Sequence, residues 1–254
     1  MSPANDDSSE WETFPHAPIV EAVVDLRASL PSSVTADTLA TLHDRIRGDF
    51  PHRETQVELA ATVVFAGGAP AASGQQRPHG FRFLTEDRKW IFQARLDGFT
   101  VSHLAPYTDW KNLRICAAGL WEHYLAVANP LAVERVGLRY INRIFIPLGA
   151  SLSDYFELEP RLGPDLPQNL AWFGVQVAME DPDVPAVVVI QQRRDADSPA
   201  HPSQAPIVLD IDVFREWRLD PRSDEVWSLL DSLRNLKNKM FFNATTAKAK
   251  EMFR

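Results

Sequence analysis

The chain of 254 residues contains a single cysteine, Cys116, and no long apolar run. One cysteine excludes an internal disulfide framework and a zinc site built from several thiolates, and it favours a reducing compartment. Because no run approaches 18 apolar residues, the sequence predicts no membrane-spanning helix. The acidic N-terminal segment lacks the basic and then apolar order of a signal peptide. We therefore expect a disordered tail over residues 1–16 and a cytoplasmic protein.

Positive charge is also scarce, because 26 Lys and Arg stand against 34 Asp and Glu, which gives a net charge of −8. Domains that bind the nucleic acid backbone are usually basic, so bulk nucleic acid is not an expected partner. Catalytic motifs are missing as well: the sequence has no GxxxxGK[ST], no GxGxxG after a strand, no HExxH and no GxSxG. No catalytic residue, cofactor or metal is therefore predicted.

Hydrophobic periodicity predicts an α+β fold, and the first half of the chain begins with a strand over 17–29. Helical spacing follows over 35–50, with Thr35 as N-cap. Strand-like runs come next, and a long amphipathic helix over 108–128 ends the half. Residues 66–80, AGGAPAASGQQRPHG, predict a loop because they are rich in Gly, Ala and Pro. The predicted strands are 57–65, 80–85, 89–95 and 98–104.

The second half repeats this order, from a strand over 132–146 to a helix over 223–240 with Ser223 as N-cap, followed by a tail helix capped by Thr245. A short helical stretch is predicted over 153–158. Strands are predicted over 171–180, 186–194 and 206–214.

The repeated order favours an internal duplication, with halves 17–129 and 130–254 in one continuous globular unit. Shifted by 112 positions, Pro18, Val24, Leu26 and Arg27 fall on Pro130, Val136, Leu138 and Arg139. Each half would be an antiparallel sheet with its long helix packed on one face. This order is similar to the saddle of TATA-box-binding proteins and to helix-grip sheets, a likeness of fold that carries no function.

The strand VERVGLRYINRIFIP, residues 133–147, carries three arginines four residues apart: Arg135, Arg139 and Arg143. Side chains alternate between the faces of a strand, so the three share one face, while the opposite face is apolar except for Asn142. Arginine is favoured where planar, bidentate contacts are made to carboxylate or phosphate. Two interpretations stay open: a binding surface for a partner or an anion, or an internal salt-bridge network.

A second polar pair is Asp210 and Asp212 in VLDIDVF. Two carboxylates on one strand face could hold a divalent cation or divide into acid and base. They could equally pair with the arginines. The predicted ligand- or partner-binding set is Arg135, Arg139, Asn142, Arg143, Asp210 and Asp212. The tryptophans are predicted to pack in the core, with an aromatic-lined cavity between sheet and helix as the alternative.

Four segments carry a resemblance: APIVEAVVDLR (17–27), LAPYTDW (104–110), GLRYINRI (137–144) and LRNLKNKMFF (233–242). Together they resemble a sporadically distributed, uncharacterised family of bacterial proteins. The patchy distribution of that family resembles that of mobile-element genes, including defence and toxin–antitoxin cassettes. The resemblance supplies no catalytic residue.

Three functional hypotheses follow. The first is a non-catalytic interaction protein that engages a protein partner, or a second copy of itself, through its sheet or the sheet edge. The second is a sensor that holds an anionic small molecule or nucleotide at Arg139 and Arg143. The third is a metal-dependent hydrolase that uses Asp210 and Asp212.

Overall fold

One antiparallel sheet of nine strands organises the chain in a computed structural model that describes residues 11–66, 69–167 and 170–254. Over 59–66 and 69–77 only the backbone is described. The spatial order of the strands is β2-β3-β4-β5-β1-β6-β9-β8-β7. The predicted α+β class with an antiparallel sheet is confirmed. The strands are β1 Ile19–Ser29, β2 His52–Ala66, β3 Ala69–Leu84, β4 Trp90–Arg95, β5 Gly98–Leu104, β6 Ala132–Pro147, β7 Gly174–Glu180, β8 Val187–Arg194 and β9 Gln204–Leu219.

Helices lie between β1 and β2, between β5 and β6, and after β9, and a short 3₁₀ turn, Leu152–Asp154, follows β6. The predicted long helices lie close to their expected positions, although the second continues to residue 244. Within the described residues, no helix is both long and apolar enough to cross a bilayer. The helices are α1 Ala36–Ala40, α2 Leu42–Ile46, α3 Trp110–Ala128, α4 Glu225–Ala244 and α5 Ala247–Glu251.

The two faces of the sheet differ in what covers them. Val136, Leu138 and Tyr140 of β6 are buried, and they share one core with Leu230 and Leu233 of α4. The packing of α3 is on the same side, where Trp121 and Tyr124 contact Phe99 of β5 edge-on. His43 of α2 stacks on Phe83 of β3, again on this side. We call this side, onto which α1 to α4 pack, the helix-covered face, and the other side the helix-free face.

The ends of α3 are fixed by polar residues at its caps. The Asp109 carboxylate accepts a hydrogen bond from the Asn112 backbone N–H at 2.7 Å, which satisfies one of the free donors of the first turn. Asn129 ends the helix in the left-handed region, with φ of 41°. The tail helix α5 is capped by Thr246, so the prediction of Thr245 is wrong. The Thr245 hydroxyl instead donates to the Phe241 carbonyl oxygen at 2.7 Å.

The predicted loop over 66–80 is wrong, because β3 runs from Ala69 to Leu84. Its residues have weak intrinsic strand propensity, but β2 pairs with it from Ala66↔Ala69 to His52↔Leu84. A complete ladder partner outweighs local propensity, and local composition cannot report it. Gly67 and Gly68 lie outside the described residues.

The single helix predicted over 35–50 is divided at Thr41 into α1 and α2. Thr35 caps α1 as predicted, since its hydroxyl accepts from the Thr38 N–H. The Thr41 hydroxyl donates to the Thr38 carbonyl oxygen at 2.8 Å, a side-chain bond to the preceding turn that competes with regular helix continuation.

Residues 1–10 of the predicted tail lie outside the described residues, whereas 11–16 pack against the end of the chain. Phe14 is buried, with its ring 5.6 Å from those of both Phe242 and Phe253. The His16 N–H donates to the Phe253 carbonyl oxygen at 3.0 Å. This short segment is therefore part of the packed structure.

Candidate functional site

The arginines of β6 lie on the helix-free face, and each one meets a carboxylate. Arg135 donates to Asp25 at 2.8 Å and to Asp212 at 2.9 Å, so it bridges β1 and β9. Arg139 donates from Nε and Nη2 to the two oxygens of Asp210, the first bond at 2.8 Å. The salt-bridge interpretation of the sequence thus describes these contacts.

Strand register explains why these charges meet. Ile141 pairs with Asp210 and Arg139 with Asp212, so the side chain of Arg139 reaches diagonally to the next carboxylate along β9. Arg135 lies beside Gly137, where an added Cβ would be 2.5 Å from its Nη1 atom. The guanidinium also lies 4.1 Å from the centre of the Phe214 ring. Glycine therefore provides the space that Arg135 occupies.

The network continues across β1 to β4 and β5. Asp25 also accepts hydrogen bonds from Arg95 at 2.9 Å and from the Thr100 hydroxyl at 2.8 Å. Burial alone would raise the pKa of Asp25, but the attraction of Arg95 and the Thr100 bond hold it below its usual value. For Asp212, burial prevails over the attraction of Arg135 and raises the pKa. Asp25 pairs with Arg27, Arg95 and Arg135, whereas Asp212 pairs with Arg135 alone, and the negative charges of Asp25 and Asp210 raise the pKa of Asp212 further.

Arg139 is the arginine of this row that is best placed to meet a partner. Its side chain is 46% exposed although the Asp210 side chain that holds it is 8% exposed. The hydrogen bonds to Asp210 raise the pKa of Arg139, and they fix the plane of the guanidinium. Nη1 makes no hydrogen bond within the described residues, so two donors stay available.

Arg143 is held more loosely. Its Nε lies 3.3 Å from an Asp195 oxygen, yet Nε has no hydrogen bond of acceptable geometry. Its Nη2 donates to the Ala196 carbonyl oxygen at 3.2 Å. Arg139 and Arg143 are therefore alike in face but different in how firmly they are positioned.

The structure separates Asn142 from the other residues of the predicted set. Asn142 is 1% exposed on the helix-covered face, and its Nδ2 donates to the Leu209 carbonyl oxygen at 3.0 Å. It cannot share a surface with the arginines because adjacent strand residues point to opposite faces. In the part of the chain that the structure describes, no group of three or more His, Cys, Asp or Glu side chains is arranged to hold a metal, Asp210 and Asp212 included.

A second polar site lies on the helix-covered face, under α4. Lys237 is only 8% exposed, and its Nζ lies 3.7 Å from the centre of the Tyr140 ring. Burial, and then the nearby Arg234, lowers the pKa of Lys237 to about 7. A buried ammonium is costly unless it is paired with an opposite charge.

The Tyr140 ring continues into a row of polar rings on the same face, Tyr107 and then His103. The hydroxyls of Tyr107 and Tyr140 are hydrogen-bonded at 2.8 Å. His103 lies 5.7 Å from Tyr107, ring to ring, and its buried Nδ1 has no hydrogen-bond partner among the described residues. Burial raises the pKa of Tyr107 to about 12 and lowers that of His103. We call the set Lys237, Arg234, Tyr140, Tyr107 and His103 the Lys237 site.

Sequence reasoning missed this site, although a signal was present. Lys237 follows Leu230 and Leu233 at helical spacing, so it occupies a position of the apolar stripe of α4. A lysine in an apolar stripe faces the core, so its charge needs either a partner within the protein or a ligand. The partners from β5 and from the loop before α3 could not be assigned without the register.

Comparison of the chain with known families and with curated proteins finds no match. The resemblance to a bacterial family described above therefore stays a prediction.

Proposed function

We propose that this chain is a non-catalytic interaction protein that binds an extended segment of a partner protein as an additional strand at β7. The observation that carries this proposal is the edge itself. β7 is the last strand in the order, and no strand among the described residues pairs with its outer side. An unpaired edge offers a row of backbone donors and acceptors to an incoming strand.

The sequence of β7, GVQVAME, lacks the devices that usually protect an edge. It has no proline and no lysine, and its one charge, Glu180, is at the end. All seven residues are exposed or half-buried. The opposite edge, β2, begins HRETQVE and so carries alternating charges that oppose pairing. Of the two edges, β7 is the one suited to strand addition.

The chemistry of β7 also limits the partner. Val175 and Val177 pack against the core cluster from the helix-covered side, while Gln176 lies on the helix-free side. A matching strand would alternate apolar and polar residues and bring a lysine or arginine opposite Glu180, because Asp181 is already held by Lys239 at 3.1 Å. Arg139 of β6 lies three strand spacings, or about 14 Å, from β7. A partner chain that continued from its paired strand across the helix-free face would pass over Arg139.

The test uses a photoreactive amino acid placed at Gln176, and the same residue at the exposed Ala126 of α3 as control. Irradiation of cells should give one discrete adduct from position 176 and none from position 126. A lysine at Ala178, in the middle of the edge, should abolish the adduct, whereas the matched Ala126→Lys should not. Equal adducts from both positions, or none from 176, would contradict the proposal. An adduct twice the mass of the chain would instead identify a second copy as the partner.

The sensor and hydrolase hypotheses need the residues of the arginine row to be available, and here most of them are engaged. An anion at Arg139 or Arg143 would compete with Asp210 or Asp195, and a metal at Asp210 would displace Arg139. The bacterial origin and a defence or toxin–antitoxin setting belong to the proposal through the resemblance alone, and the cytoplasmic location through the single cysteine and the N-terminal composition. The genes that neighbour this one would test that setting.

We also propose that the two halves of the sheet arose by duplication and form a saddle. Under the 112-residue shift, Val24 corresponds to Val136 and Leu26 to Leu138. The pairs Val24↔Leu138 and Leu26↔Val136 then exchange under a two-fold axis at Asp25↔Gly137, which supports the proposal. Superposition of 17–128 on 130–240 should need a rotation close to two-fold, and a very different rotation would contradict it.

A further inference from the structure

We propose that the Lys237 site binds the oxyanion group of a small organic molecule, a carboxylate or a phosphate ester, between α4 and the sheet. This inference is independent of the strand-addition proposal, since it concerns the other face of the sheet and different residues. It would give the chain a second function, the sensing of a metabolite.

The Lys237 site carries two positive charges close together. Lys237 and Arg234 are three residues apart on α4, and their mutual repulsion contributes to the low pKa of Lys237. Within the described residues, neither side chain makes a hydrogen bond or an ion pair; the Lys237 side chain is 8% exposed, and its Nζ contacts only the face of the Tyr140 ring. By contrast, Asp210, which is buried, and Asp25 and Arg95, which are half-buried, each have an opposite partner. Two neighbouring cations without an opposite charge indicate that the site is completed by an anionic ligand.

The hydrogen-bonding character of the surroundings also favours an anion. In the Tyr107–Tyr140 pair one hydroxyl donates to the other, so one O–H hydrogen is left over. The ammonium has three N–H donors and the guanidinium has five. His103 adds a buried ring nitrogen that makes no hydrogen bond within the described residues. The site is rich in donors, which fits a ligand group that only accepts, such as an ionised oxyanion.

The carboxylates that act on the site or border it already have other partners. Asp87, whose charge acts on His103, accepts from the Thr85 hydroxyl at 2.6 Å and from the Lys89 backbone N–H at 3.0 Å. Asp109, at the N-terminus of α3, raises the pKa of Tyr107, but its oxygens already accept from the backbone N–H and the side-chain amide of Asn112, each at 2.7 Å. Asp231, one turn before Arg234 on α4, accepts from Trp110 at 2.9 Å and from Arg114 at 3.1 Å.

The access and shape of the site also suit a small ligand. Arg234 and Tyr107 are partly exposed, so the site opens on their side, while Lys237 lies deeper. An aromatic row leads away from Lys237: its Nζ lies over the Tyr140 ring, Tyr107 contacts both Tyr140 and His103, and His103 stacks on Trp90 with ring centres 3.9 Å apart. The apolar body of a small ligand would lie along this row with its oxyanion on Lys237.

The test measures binding by calorimetry with four probes: inorganic phosphate, acetate, benzoate and a nucleoside monophosphate, each against chloride at equal ionic strength. At least one oxyanion should bind saturably, and the preferred probe separates a phosphate from a carboxylate ligand. Lys237→Met should weaken binding by a factor of ten or more, and Arg234→Gln should weaken it as well. Lys111→Met removes an exposed charge from α3 and should leave binding unchanged.

A second readout is specific to the buried ammonium. Because the pKa of Lys237 is about 7, about half of the molecules have a protonated Lys237 at pH 7 when the site is free. A bound anion favours the charged form, so binding should be accompanied by proton uptake from the buffer. The binding enthalpy should therefore depend on the ionisation enthalpy of the buffer in the wild-type protein and not in Lys237→Met. If no probe binds, or if Lys111→Met weakens binding as much as Lys237→Met, the proposal is wrong. A loss of binding in Arg234→Gln would support it even if Lys237→Met failed to fold.

Discussion

Replacing Lys237 by methionine should change how the stability of the protein depends on pH. The folded-state pKa of Lys237 is about 7 against an ordinary value of 10.5. Between these values the unfolded chain holds one more proton than the folded one, so the free energy of unfolding rises with pH by up to about 1.4 kcal/mol per unit. Below pH 7 both states are protonated and the dependence disappears. Methionine keeps an apolar side chain of similar length and has no group that titrates.

Between pH 7 and pH 9 the free energy of unfolding of the wild-type protein should rise by about 2 kcal/mol relative to that of Lys237→Met. The rise is smaller than two full units of the slope would give, because Lys237 is still partly protonated in the folded protein near pH 7. At pH 7 the variant should be the more stable of the two, since it no longer buries an unpaired ammonium. Urea titrations at several pH values in chloride buffers free of oxyanions measure the difference. Cys116, whose pKa is raised to about 12 by burial, titrates equally in both proteins and cancels.

A constant difference between pH 7 and pH 9 would refute the reasoning, because it would mean that Lys237 titrates as an exposed lysine does. Lys111→Met gives the reference for an exposed lysine, and its difference from the wild-type protein should not change with pH.

The remaining predictions concern the core and the arginine row. Leu233→Ala should cost about 2–5 kcal/mol in a denaturant titration, since Leu233 is fully buried between α4 and the sheet, and a loss below about 0.5 kcal/mol would contradict that packing. Arg139→Lys and Arg143→Lys should lower the melting temperature less than Arg135→Lys does, because lysine keeps a charged contact to Asp210 or Asp195, and they should weaken partner binding because lysine loses the planar fork. If both variants melt early and binding follows the folded fraction, these arginines are structural. Arg135→Lys should lower the melting temperature, because it breaks the bridge between Asp25 and Asp212.

Periodicity located the elements that bury one regular stripe. The helices α3 and α4 and the strand β6 were predicted because their apolar residues recur at the spacing of their own structure. The strand β3 was missed because its stability comes from pairing with β2, and a Gly- and Ala-rich sequence does not display that partner. The pattern of one segment can predict that it forms a helix or a strand, whereas strand pairing depends on two segments that are distant in the sequence.

For the candidate site, too, only the features that depend on a single strand could be predicted from the sequence. The common face of Arg135 and Arg139 follows from alternation within one strand, and so it could be predicted. Their pairing with Asp25 and Asp210 depends on the register between strands, so the choice between surface and network stayed open. The Lys237 site was missed for the same reason, since its members come from α4, β5, β6 and the loop before α3.

The closeness of Gly137 to the Arg135 guanidinium restricts what evolution and design can do with this strand. A methyl group at position 137 would lie 2.5 Å from Nη1, so alanine would require the Arg135 guanidinium to shift within its bridge between β1 and β9. In a saturation mutagenesis screen, residue 137 should therefore favour glycine as long as Arg135 is retained. The two positions would then vary together, and a pair that drifts jointly in distant relatives could be detected from sequences alone.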